Sequence, residues 1–293
     1  MNALKRNSKL ETTYFPTKDV FDASILKDKF DIILLWQNNE FGMPKEIIGI
    51  QDLDIPVLAD VCDPQDAHDA IKFHKKWKID HYFHYYPENL FHELFPKNFK
   101  YSTIIFGLEP SLYQNEKPFK DRIQNKILNS GAVGNTKFLS RIINSIRNPK
   151  WNSYKYYTLR TKCNNLPYVD YTTTLEHDYV GDRYPLLLQK YAAAIAATSV
   201  EATIKYWEIP AAGCLTFMEI TKKNKGDYLG YVDNETSIFI NEDNYQNKFE
   251  EFLNNPDDPK WEKIADAGRK YAINNFNNDK ACNSLVSLME TMI

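Results

Sequence analysis

The apolar runs of this chain are short and apolar at nearly every position rather than at alternate ones. Asp31–Trp36 (DIILLW), Ile55–Asp60 (IPVLAD), His81–Tyr85 (HYFHY) and Ser102–Phe106 (STIIF) have the length and the β-branched and aromatic content of strands. A strand that is apolar on both faces must be covered on both faces, which is the condition of a parallel sheet flanked by helices. Helix-like segments such as Asp66–Trp77 lie between these runs, so the pattern predicts an α/β fold.

The alternation breaks once. Gln114–Lys120 (QNEKPFK) is polar, contains a proline and has no periodicity, which marks it as a linker. Beyond it Asn125–Asn129 reads as a strand that runs into a Gly-x-x-Gly turn, Gly131–Gly134, followed by a helix over Lys137–Ile146. A strand at Val169–Thr174, a helix at Tyr184–Lys190 and a small-residue strand at Ala192–Thr198 come next. A helix then ends near Gly213, followed by strands at Cys214–Met218 and Ser237–Ile240. Helices at Tyr245–Leu253, Lys260–Asn274 (headed by the turn NNPDDP, 254–259) and Asp279–Met292 close the chain. This organisation predicts an N-terminal unit over 1–113, a second unit over 114–276, and a terminal helix over 277–293 that packs back on the first. The ligand is expected in a cleft between the units, outside the carboxyl ends of the strands.

The charge balance excludes several classes. With 36 basic and 39 acidic residues the net charge is −3, which provides no electrostatic footprint for nucleic acid. No window approaches the roughly 20 apolar residues of a membrane span, and the start MNALKRNSKLETTYF lacks the apolar core of a signal peptide. The expectation is a cytoplasmic protein. Cys62, Cys163, Cys214 and Cys282 form no CxxC pair and read as reduced core residues. His68, His74, His81, His84 and His92 share the N-terminal half with Asp60, Asp63 and Asp66, but spacings such as His81-x2-His84 match no standard ligand set, so no metal is expected. Lys72–Lys78 (KFHKKWK) is basic and aromatic; it reads either as a solvated helix face or as a peripheral contact with an anionic lipid.

The richest segment is Lys205–Phe217, KYWEIPAAGCLTF. Lys205 and Glu208 are three apart and project from one helix face. Ala211, Ala212 and Gly213 end that helix where a backbone or a ligand can approach closely. A carboxylate facing a cleft suits the vicinal hydroxyls of a ribose, and a nearby lysine suits a phosphate. By itself such a pair is most often a surface ion pair.

This segment resembles the donor-binding helix of group 1 glycosyltransferases, and most closely the CgeB-like, spore-maturation branch. Four further elements occur in the same order: Tyr157–Arg160 (YTLR), Phe106–Pro110 (FGLEP), Gly230–Ile240 (GYVDNETSIFI) and Lys263–Asn275 (KIADAGRKYAINN). The resemblance covers 106–276 well and 30–105 loosely. It implies a GT-B fold, two Rossmann-like domains with parallel sheets facing a central cleft, and transfer of a sugar from a nucleotide-diphosphate donor. It implies a donor-binding set of Glu208 on the ribose, Lys205 and Arg160 on the diphosphate, and Gly131, Gly134, Gly213 and Glu219. Many group 1 enzymes have a Glu-x7-Glu pair whose first Glu would fall at position 200; here Val200 stands there, with Glu201 one residue on. No Asp-x-Asp motif ends a strand, so activity without a metal is expected, the cations taking the charge of the departing diphosphate.

On the acceptor side, Ala59–Pro64 (ADVCDP) sits at the carboxyl end of an apolar strand. Asp63 is the first candidate for the base and Asp60 the second; the alternative is that they cap the following helix. The acceptor (glycan, protein or lipid-linked) is not specified by any motif. Two competing readings remain open: a catalytically silent sugar-nucleotide-binding scaffold, and a sugar-nucleotide epimerase.

Overall fold

A computed structural model describes residues 2–16, 19–36, 44–61, 63–64, 67–114, 116–135, 137–147, 152–173 and 177–293. Cys62, Asp66 and Thr174, named above, lie outside the described residues, as does the side chain of His68. The chain forms two units, Met1–Phe106 with Asn278–Ile293, and Gly107–Asn277.

The first unit contains α1 (Asn2–Arg6), β1 (Val20–Asp22), β2 (Ile33–Leu35), β3 (Glu46–Ile48), β4 (Val57–Asp60), α2 (Ala67–Lys76), β5 (His81–His84), α3 (Glu88–Leu94), β6 (Tyr101–Thr103) and the C-terminal helix Asn278–Glu290. Its main sheet is four parallel strands in the order β2-β4-β5-β6, with β1 and β3 forming a separate parallel pair. All four residues of β4 are buried, the apolar Val57–Ala59 as a strand covered on both faces requires and Asp60 at its end with them. One face is covered by α1 and the C-terminal helix: Leu4, Cys282, Leu285 and Val286 pack with Leu58, Phe83 and Ile104. On the other side an aromatic stack closes the core, with Phe91 against Tyr101 at 4.0 Å and His74 against Phe99 at 3.8 Å between ring centroids. The register pairs Asp60 with Phe83, so the carboxyl ends of β4 and β5 lie side by side.

The second unit contains β7 (Ile123–Ser130), α4 (Phe138–Arg147), α5 (Ser153–Tyr156), α6 (Thr158–Cys163), β8 (Val169–Thr172), α7 (Tyr184–Leu188), β9 (Tyr191–Ala196), α8 (Lys205–Ala211), β10 (Leu215–Glu219), β11 (Ile238–Ile240), α9 (Tyr245–Asn254) and α10 (Pro259–Phe276). The sheet is parallel throughout, in the order β11-β10-β9-β7-β8. The chain leaves β7 for β8 on one side and returns to β9 on the other. That makes the β7/β9 edge the topological switch point, where the connecting loops diverge and open a crevice. The alanines of β9 (YAAAIA) are fully buried beside Phe217, Phe249, Phe252 and Trp261. The Asp258 side chain accepts the Lys260 N–H at 2.9 Å and Pro259 takes the first helical position, which starts α10.

The division between the units falls at Phe106/Gly107. The polar stretch 114–120 lies inside the second unit, because Phe119 joins its core. Among the described residues no helix is long and apolar enough to cross a membrane.

Candidate functional site

The inner half of β7, Ile127–Ser130, is buried, and the strand runs out into Gly131 at φ +100°. A side chain there would be strained, and glycine is not. The reason for glycine is also spatial: a Cβ would lie 2.9 Å from Lys205 Cε, 3.2 Å from Lys205 Nζ and 3.3 Å from Arg160 Nη1. Two cations therefore close on the open face of one glycine, at the carboxyl end of the switch-point strand.

Arg160, on α6, is only 2% exposed. Its Nη1 donates to the Ala132 carbonyl at 3.1 Å and its guanidinium lies 5.1 Å from the Tyr157 ring centroid. Its Nε and Nη2 have no hydrogen-bond partner among the described residues. Burial lowers its pKa, as expected for a desolvated cation. Lys205 opens α8. Its Nζ donates to Tyr184 Oη at 3.2 Å and reaches Ser130 Oγ at 3.5 Å, and these two hydroxyls are themselves 2.5 Å apart. Burial, then the charge of Arg160, hold its pKa below the usual lysine value, with Glu208 opposing them.

Glu208 lies one turn along α8. Its carboxylate makes no hydrogen bond or ion pair among the described residues, and burial raises its pKa against the pull of Lys205. Burial, and after it the charge of Glu208, raise the pKa of the phenols Tyr113 and Tyr184. The site is thus two cations, one unengaged carboxylate and two phenols, with a net positive charge at its Gly131 end.

A buried polar network holds α8 in place. Tyr206 Oη accepts the Thr198 N–H at 3.2 Å and donates to the Glu219 carbonyl at 2.9 Å. Asn224 Nδ2 donates to Tyr206 Oη at 3.0 Å and to the Thr198 carbonyl at 3.1 Å. The ends of β9 and β10 are thereby tied to the first turn of the helix that carries Lys205 and Glu208. Glu219 ends β10; its side chain is buried, Oε2 has no hydrogen-bond partner among the described residues, and burial pushes its pKa up to about 7.

The two other glycines have different surroundings. The Gly134 N–H donates to Thr161 Oγ1 at 2.7 Å, and a Cβ there would overlap the Tyr154 backbone, so this glycine lets the loop pass α5. Gly213, at φ +76°, follows the far end of α8 from Lys205. A Cβ there would run into the Glu116 carboxylate, which bridges Arg122 at 3.2 Å and Arg269 at 2.9 Å. Gly213 terminates the helix at the amino edge of the sheet and does not join the cations.

In the first unit, Asp60 and His84 end adjacent strands. Asp60 is 3% exposed, and its Oδ1 lies 2.7 Å from His84 Nδ1. His84 Nε2 is buried without a hydrogen-bond partner among the described residues, and the ring packs against Tyr85 and Tyr86. Asp63 is exposed beyond the strand end. From the sequence Asp60 is a candidate base, whereas His84 shows only as one of five histidines at no standard ligand spacing. In the 72–78 patch, Trp77 is buried and stacks on Phe73 at 4.0 Å, so its indole is not offered to a membrane.

No protein-family model and no curated protein matches the chain. Solved structures do. Anabaena HepE, in complex with UDP and glucose, superposes with a TM-score of 0.55 at 10% identity, covering 81% of this chain and 72% of that one. Sucrose-phosphate synthase from Thermosynechococcus elongatus superposes at 0.54 with 12% identity, covering 83% and 69%. A mutant of S. aureus TarM, in complex with fondaparinux, alpha-GlcNAc-glycerol and UDP, superposes at 0.51 with 11% identity, covering 80% of this chain and 51% of TarM. The chain thus spans about half the length of TarM. Its fold is of the GT-B class.

Proposed function

We propose that the chain is a glycosyltransferase that draws on a nucleotide-diphosphate sugar and belongs to the CgeB-like branch of group 1. The observation that carries this reading is the buried Arg160, whose Nε and Nη2 lack partners among the described residues beside Lys205 and the open face of Gly131. A desolvated guanidinium with idle donors is costly unless an anion completes it. The position at the carboxyl edge of a parallel sheet and the UDP held by HepE and TarM support a diphosphate as that anion.

Arg160 and Lys205 take the diphosphate, and Glu208 accepts hydrogen bonds from the ribose hydroxyls. As the sugar–phosphate bond breaks, negative charge grows on the departing oxygen, and the two pre-aimed cations stabilise it in a site of low polarity. This reaction requires no metal. On the acceptor side we assign the proton acceptor to Asp60 acting through His84. In the tautomer with the proton on Nδ1, Asp60 holds that proton at an Oδ1–Nδ1 distance of 2.7 Å and orients the ring, and Nε2 is the nitrogen that takes the proton of the acceptor hydroxyl. Asp63, the first candidate from sequence, is not assigned this role.

Calorimetric titration with nucleoside diphosphates, followed by donor hydrolysis, tests the reading. Glu208→Ala is expected to weaken binding by about 1–3 kcal/mol, the worth of a charge-assisted hydrogen bond. Unchanged affinity in a folded variant removes the ribose role. Binding without any hydrolysis turns the proposal into that of a silent nucleotide-sugar-binding module.

A further inference from the structure

Helix α4 (Phe138–Arg147, FLSRIINSIR) is amphipathic, yet its apolar face is turned away from its own unit. Phe138 is 69% exposed, Leu139 73%, Ile142 42%, Ile143 49% and Ile146 75%. At 3.6 residues per turn, 138, 142 and 146 form one row and 139 and 143 the next, so the five side chains make a single stripe. The polar face is the one held down. The Arg141 guanidinium lies 4.2 Å over the Tyr154 ring, and Asn152 Nδ2 donates to Ser145 Oγ at 2.8 Å. A helix of a folded domain ordinarily does the reverse, burying the stripe and exposing its polar residues.

The charge of the sequence around the stripe is one-sided. Between Asp121 and Asp170 the sequence has nine Lys or Arg and no Asp or Glu, in a chain whose net charge is −3. Arg122 and Arg160 are buried, whereas Lys137, next to the stripe, and Lys155 are exposed. A stripe of Phe, Leu and Ile amid cations is what an anionic lipid surface binds: apolar side chains enter the headgroup–acyl boundary and lysines meet the phosphates. A second copy of the chain is the weaker fit, since a twofold contact would set this cationic face against itself.

We propose that α4 is a membrane-surface helix that seats the second unit on an anionic bilayer through Phe138, Leu139, Ile142, Ile143 and Ile146. This is independent of what the neighbouring site transfers. It also differs from a contact through the 72–78 patch, whose indole is buried.

Co-sedimentation of the full chain with vesicles tests it. One set is phosphatidylcholine alone, the other phosphatidylcholine and phosphatidylglycerol in equal parts. The wild type is expected to sediment with the mixed vesicles and much less with the neutral ones. Leu139→Ser with Ile146→Ser is expected to lower the partition by at least about tenfold. Lys137→Glu with Lys155→Glu is expected to lower it by at least about tenfold on the anionic vesicles only. Circular dichroism and nucleoside-diphosphate affinity, expected to stay at wild-type values, confirm that each variant is folded. The proposal is overturned if the wild type stays in the supernatant with anionic vesicles, or if the Leu139/Ile146 variant sediments like the wild type. It is equally overturned if the variant only converts a dimer to a monomer, which would make the stripe an interface between copies.

Discussion

Arg160→Met separates a binding role from a structural one, because the two roles move stability in opposite directions. Methionine keeps an unbranched stem in the same space and removes the guanidinium. The structure sets out what is lost: one charge-assisted bond to the Ala132 carbonyl, worth about 1.5–3 kcal/mol, and a cation–π contact with Tyr157, worth about 0.5–2 kcal/mol. It also sets out what is relieved: two buried donors without partners, at about 1–3 kcal/mol each or more, and the repulsion with Lys205. These nearly cancel, with a net stabilisation of about 1 kcal/mol on the side of the variant. For a domain of this size that is a rise in Tm of roughly 2–4 °C. Nucleoside-diphosphate affinity should move the other way, falling by at least about tenfold, since a desolvated cation facing a phosphate is worth about 1.5–3 kcal/mol or more. Thermal unfolding and calorimetric titration of the same two proteins read both effects. A variant that unfolds many degrees lower and binds nucleotide as the wild type does would refute the reasoning, because Arg160 would then be a structural group.

Glu219→Gln probes a buried carboxyl whose folded pKa, about 7, stands above the ordinary 4.5. The folded state holds this proton more tightly, so its contribution to stability is complete below about pH 4.5 and is lost as pH rises through 7. The glutamine variant should therefore exceed the wild type by about 1–3 kcal/mol above pH 7 and match it near pH 4.5; equal pH profiles in denaturant melts would contradict this. Asp60→Asn should cut turnover at saturating donor by about 10²-fold or more with nucleotide affinity intact, whereas Asp63→Asn should stay near wild type; the opposite ranking returns the base to Asp63. Turnover should survive a chelator in excess, and loss restored by magnesium or manganese would place a metal in the reaction. Nucleotide affinity should fall at a lower pH than the usual lysine value of 10.5 allows, because Lys205 is held below it; a flat profile up to that value would show that Lys205 does not face the phosphates.

The parallel sheets were legible because their signal is local. DIILLW, IPVLAD and AAAIAAT are apolar on both faces, and only a strand covered on both sides uses such a run. The three-residue strands VFD and EII show a partner residue exposed on each side of one inward residue, too little for a period to register. The seven-residue helix ENLFHEL and the short α5 and α6 fall below the length at which helical spacing separates from chance. The boundary was set a few residues late: 107–113 belong to the second unit, where Leu108 and Tyr113 are buried, and Phe119 joins its core from within the stretch that the polar neighbours marked as a linker. In the site, the Lys205–Glu208 spacing and the Gly131 turn were readable. Tyr113, Ser130 and Tyr184 were not, since they reach Lys205 and Glu208 across distant segments and carry no pattern of their own. His84 was visible only as half of His81-x2-His84. What makes it a partner of Asp60 is the register of β4 on β5, which no local window contains.

The most direct test of the donor site is a crystal structure of the full chain with a nucleoside diphosphate bound. The expected result is a diphosphate at the Gly131 turn, with Arg160 Nη2 or Nε and Lys205 Nζ within hydrogen-bond distance of its oxygens and Glu208 on the ribose. A nucleotide seated elsewhere, with neither Nε nor Nη2 of Arg160 in contact with it, would contradict the account.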